Sequence, residues 1–209
     1  MVTVSDMIGK RNLPATPSGT VLNIQKDTGV KVAATGIEWD AVFGGASVDV
    51  DVWMLLLGAN GQCLGAPYFV FYNNRFAPGN CAYVTEDNRT GADDAKKSTN
   101  SDGYDELAVV TFAELPADVA SIVVGVSIDH TAATVAGQTF AVAQNARAIV
   151  YDLESKKVLA KCDMSTNMTQ FDAIVLGKYN KTPNGFNFES VMKGYTKGIV
   201  EAIGEYGLR

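Results

Sequence analysis

The sequence predicts a mainly β protein, a two-sheet β-sandwich of about ten short strands with a C-terminal amphipathic helix. Three observations carry this reading. Strand-length apolar runs recur at roughly 8–15-residue intervals, bounded by Gly, Pro, Asn and Asp. Hydrophobic residues form 47% of the 209-residue chain and charged residues only 19%, so a sizeable core is available and the surface relies on Ser, Thr, Asn and Gly. Near the C-terminus the apolar spacing changes from two residues to four.

Residues 1–19 contain Pro14, Pro17 and Gly19 and show little periodicity, so they read as an N-terminal arm or linker. Residues 20–209 read as one domain. Val21–Ile24 and Val30–Val32 alternate around a turn expected at Asp27–Gly29, and Val48–Leu57 is a strong strand. Tyr68–Tyr72 is an aromatic one. Leu107–Phe112 follows an acidic loop, and Ile122–Ile128 follows a turn at Pro116–Asp118. Phe140–Ala143, Ala148–Tyr151, Lys157–Lys161, Phe171–Leu176 and Gly185–Phe188 complete the extended runs. Val191, Tyr195, Ile199 and Ile203 then recur every four residues, which predicts a helix capped by Ser190. Gly194 and Gly198 would lie on that helix where it approaches a sheet.

The net charge of −6 and the absence of a Lys/Arg cluster argue against a nucleic-acid partner. Cys63, Cys81 and Cys162 are far apart without metal-ligand spacing, which suits free thiols in a reducing compartment; a Cys63–Cys81 disulfide is the alternative. No signal-peptide pattern is readable and no apolar run approaches a membrane span, so a cytoplasmic location is expected.

The most unusual stretch is residues 85–106, twenty-two residues with seven carboxylates and little that could enter a core. Loops of this length in a compact domain are usually functional or disordered. A hard divalent cation would offset the repulsion. Calcium takes six to eight oxygen ligands, whereas magnesium retains waters and zinc prefers the His and Cys that this loop lacks. Upstream, Val48-Asp-Val-Asp-Val52 places Asp49 and Asp51 on one strand face and the valines on the other. The acid parity continues into Trp53, Leu55 and Leu57, so the acids are expected at the rim of the sandwich. From the residues alone, a metal site and a solvated acidic loop both stand as readings.

Several segments resemble the signature blocks of TerD-type proteins. They are Gly45–Asp51, Tyr68–Asn74, Asp87–Gly91 with Ser101–Glu106, Gly36–Trp39, Leu115–Asp118, Gly137–Phe140 with Asn145–Ala146, and Gly194–Tyr195. They run collinearly from about residue 20 to residue 207. The resemblance implies a β-sandwich carrying one or two calcium ions, with Asp49, Asp51, Asp87, Asn88, Thr90, Gly91, Asp102, Asp105 and Glu106 as candidate ligands. The chain departs from the family pattern at Ser47 and Tyr104, where an Asp is usual, and in an insertion around residues 92–100 that contains Asp93 and Asp94.

His130 is the single histidine, and no nucleophile motif or phosphate-binding loop accompanies it. The resemblance therefore implies a non-enzymatic calcium-binding protein associated with stress or tellurite resistance. The alternative is a structural subunit of a larger assembly, a virion or membrane-surface complex, in which the same sandwich forms homo-oligomers.

Overall fold

Alternating side chains give a strand two faces, and this chain uses both. The computed structural model describes residues 13–40, 48–89, 91, 102–129 and 137–208. In chain order the described elements are β1 (Val21–Leu22), α1 (Ile24–Thr28), β2 (Val32–Asp40), β3 (Val50–Leu57), β4 (Phe69–Val70), β5 (Ala82–Val84), β6 (Glu106–Thr111), β7 (Ser121–Ile128), β8 (Gln144–Asp152), β9 (Val158–Asp163), β10 (Ala173–Thr182), β11 (Gly185–Tyr195) and α2 (Gly198–Gly204). One antiparallel sheet runs β1-β11-β10-β7-β3-β4 and the other β5-β6-β2-β8-β9. The expected mainly β sandwich with a short C-terminal helix is the architecture observed.

The main core lies between the sheets. It joins Val50, Val52, Met54 and Leu56 of β3 and Val124 and Val126 of β7 to Ile37 and Trp39 of β2 and Ala148 and Val150 of β8. The opposite parity of β3 is also buried. Trp53, Leu55 and Leu57 cluster with Val123 and Val175 of the same sheet, Ala202 of α2 and Tyr206 beyond it. All eight residues of β3 are therefore buried, which accounts for its unbroken apolar run after Asp51. Trp53 faces Gly125 across the β3–β7 ladder, and a Cβ on Gly125 would lie 2.2 Å from the indole.

Several elements differ from expectation. The expected turn at Asp27–Gly29 is the end of α1, stopped by Gly29 in the left-handed conformation at φ 70°. The aromatic strand shortens to Phe69–Val70, and Phe140–Ala143 is a turn preceding β8. Ser190 does not cap a helix. It is buried in β11, which continues to Tyr195, and the helix begins only at Gly198. Gly194 is a strand residue against the ring of Phe171. The four-residue spacing spanned a strand end and a helix, because both place Val191 and Ile199 against the same outer cluster.

Residues 13–19 run beside the sheet edges. The Thr16 amide donates to the Lys161 carbonyl at 2.8 Å, and Gly19 donates to Ser190 at 2.7 Å. The three cysteines are free thiols. Among the described residues, no helix is long and apolar enough to cross a membrane.

Candidate metal centre

The candidate site forms where β3 begins, because strand parity turns Asp49 and Asp51 away from the valines that enter the core. Asp49 is 2% exposed and Asp51 5% exposed. The neighbouring strand brings another acid. Val50 pairs with Ile128 of β7, and the Asp129 amide donates to the Asp49 carbonyl at 3.0 Å.

The third side of the site comes from the segment after β5, which is tied to the start of β6. The Thr85 amide donates to the Leu107 carbonyl at 2.9 Å, while the Leu107 amide donates to Thr85 Oγ1 at 2.9 Å. The Asn88 amide donates to Glu106 Oε1 at 3.2 Å, and its side-chain Nδ2 donates to Asp105 Oδ1 at 3.2 Å. The other oxygens of these acids hold the sheets: Glu106 Oε2 accepts from the Val52 amide at 2.7 Å, and Asp105 Oδ2 from the Trp39 amide at 3.2 Å. Held in this way, the segment places Asp87 opposite β3. One carboxylate oxygen from each of Asp49, Asp51 and Asp87 lies within 4.8 Å of the other two.

Burial and mutual repulsion dominate the electrostatics. Burial, followed by the charges of Asp87 and Asp129, pushes Asp49 up to about 7, against a smaller opposing effect of Arg89. Burial and then Asp49, Asp87 and Asp129 push Asp51 up to about 8. Burial also raises Glu106, with Asp51 adding to it and the Val52 and Asn88 amides pulling the other way. Arg89 pairs with Asp87 at 3.2 Å, but its side chain is 74% exposed and solvent screens the pair. Asp49 Oδ1 is buried and has no hydrogen-bond partner among the described residues. A buried carboxylate oxygen without a donor is costly unless it is protonated or meets a cation.

The donors are all oxygens, and their spacing suits one ion. Two ligands of a single calcium, each at about 2.3–2.6 Å, can be no more than about 5.2 Å apart. The donor set and the orphaned oxygen therefore fit a hard divalent cation.

The sequence-predicted residues do not all come together. Asp49, Asp51 and Asp87 come together. Asn88, Asp105 and Glu106 adjoin them, and hydrogen bonds through these residues tie loop to sheet. Asp102 is elsewhere, paired with Lys156 at 2.8 Å. Gly91 has φ 55° and lies against the Trp39 indole, where a Cβ would be 2.5 Å from Nε1. Thr90, Ser47, Asp93, Asp94 and His130 lie outside the described residues. Tyr104 is buried on the outer face of the five-stranded sheet with Tyr151 and Leu107.

Sequence reasoning passed over Asp129 and Tyr72. The signal for Asp129 was its place at the end of Ile122–Ile128, once that strand is paired with Val48–Leu57. Tyr72 is raised by burial first and then by Asp129, Asp51, Asp87 and Asp49, so it borders the same acids.

Comparison with known proteins agrees with this architecture. The TerD domain model matches residues 17–206. The chain is 30% identical to the uncharacterized protein YceE of Bacillus subtilis (strain 168), over 87% of this chain and 90% of that protein. It is 28% identical to the tellurium resistance protein TerD of Alcaligenes sp, over 86% of this chain and 88% of that protein. It is 26% identical to general stress protein 16U of Bacillus subtilis (strain 168), over 87% and 90%. The crystal structure of a telluride resistance protein (TerD) homologue from Streptomyces coelicolor A3(2) superposes with a TM-score of 0.67 at 17% identity, covering 83% of this chain and 95% of that one.

Proposed function

The chain belongs to the TerD family, and we propose that it is a non-enzymatic calcium-binding member associated with stress or tellurite resistance. The observation that carries the calcium reading is the convergence of Asp49, Asp51 and Asp87, with the Asp49 Oδ1 oxygen buried and unpartnered. Relatives named for tellurium resistance and general stress support the biological association.

In this reading Asp49, Asp51 and Asp87 hold the ion, and its charge offsets the repulsion among buried acids. Asp105 and Glu106 are positioning residues. Their carboxylates accept amide hydrogens from both sheets and from Asn88, so Asp87 is held near β3 before a cation arrives. Such preorganisation favours binding because little of the loop remains to be ordered.

Thermal melting tests the proposal. A ligand that binds only the native state contributes about 2.7 kcal/mol at a hundredfold excess over its dissociation constant. In a domain of this size that corresponds to a rise of roughly 5–10 °C. Millimolar calcium is expected to raise the Tm by this amount relative to chelator, and magnesium by less. Identical curves in calcium and chelator overturn the proposal.

A further inference from the structure

Asp49 and Asp129 occupy directly opposed positions. The β3–β7 register pairs Val50 with Ile128, and the Asp129 amide extends the ladder to the Asp49 carbonyl at 3.0 Å. Directly opposed residues of an antiparallel pair carry their side chains on one face, with Cβ atoms about 5 Å apart. That face also bears Asp51, two residues along β3. Like charges placed opposite one another destabilise a sheet, and here the pair adjoins a buried Asp49 oxygen that has no hydrogen-bond partner among the described residues.

Resting on the calcium reading above, we propose that Asp129 is a fourth carboxylate of the cation site and favours calcium over magnesium there. Asp49, Asp51 and Asp87 form the tight group from β3 and the loop, and Asp129, outside that group, faces them from the end of β7 and would complete the shell on that side when the ion is bound. The effect of its charge on Asp49, Asp51 and Tyr72 agrees with this placement. A further anionic oxygen suits calcium, which accepts six to eight oxygens in variable geometry. Magnesium demands near-octahedral ligands and keeps its waters.

The test is calcium and magnesium titration calorimetry on the full chain, comparing wild type, Asp129→Asn and Asp118→Asn. Asp118 is exposed in the turn before β7, so its substitution removes the same charge away from the site. Asp129→Asn is expected to weaken calcium binding at least tenfold and narrow the calcium-to-magnesium preference, while Asp118→Asn stays within twofold of wild type. The Asp129→Asn Tm in chelator should equal or exceed that of wild type, because a like-charge pair is removed. If Asp129→Asn does not fold, Asp129→Glu carries the test: it keeps the charge but moves the carboxylate, and should weaken calcium at least threefold. Wild-type calcium binding that the folded Asp129 variant retains within twofold overturns this inference alone. A wild-type chain that binds no calcium overturns the site reading and this inference with it.

Discussion

Asp51→Asn is expected to weaken calcium binding at least tenfold, about 1.4 kcal/mol, and to raise the stability of the calcium-free protein at pH 8. The two effects have one cause. Asp51 is 5% exposed and surrounded by Asp49, Asp87 and Asp129, with the buried Glu106 nearby. Its charge is costly without a cation and useful with one. Asparagine keeps the shape and one oxygen but removes that charge. A residue needed only for packing would behave differently, losing stability in both conditions. Calorimetry gives the affinity, and melting in chelator gives the stability. Unchanged affinity, or a lower Tm in chelator, contradicts the role assigned to Asp51.

The stability of the calcium-free protein is expected to fall as pH rises from about 5 to about 8. An unfolded aspartate titrates near 3.9, whereas folding pushes Asp49 up to about 7 and Asp51 up to about 8. Between these limits the folded chain holds more protons than the unfolded chain. The contribution of these groups is therefore fully present below the unfolded pKa and is lost as pH rises through the folded values. The slope approaches about 1.4 kcal/mol per pH unit for each acid that loses its proton only in the unfolded state. Calcium binds the ionised acids, so its affinity should increase over the same window and the Tm decline should disappear when calcium is present. Melting wild type and Asp49→Asn/Asp51→Asn with and without calcium isolates these groups from the rest of the chain. A calcium-free difference between the two proteins that does not change with pH contradicts the assignment.

Much of this arrangement is legible in the sequence because strand parity is a strong constraint. Val48, Val50 and Val52 alternate with Asp49 and Asp51, and that pattern alone places the acids together on one face. It does not show what faces them. Asp129 comes to face Asp49 through the β3–β7 register, and a register is a long-range property. Similarly, Asp105 and Glu106 read as loop acids among many, yet Glu106 begins β6 and accepts the Val52 amide from the other sheet. Their tethering role depends on sheet packing, which composition does not encode. The C-terminal error has a related origin. Val191 and Tyr195 sit four residues apart on β11, with Ile199 and Ile203 continuing the spacing beyond the bend at residues 196–197. A four-residue interval fits two strand repeats as well as one helical turn, so periodicity alone could not locate the start of the helix.

Calcium titration calorimetry on wild type and Asp49→Asn/Asp51→Asn/Asp87→Asn decides whether these three carboxylates hold a cation. Saturable calcium binding is expected of wild type and its loss of the triple variant, with both proteins folded by circular dichroism. The same isotherm from both proteins, or none from wild type, would contradict a cation site built on these three carboxylates.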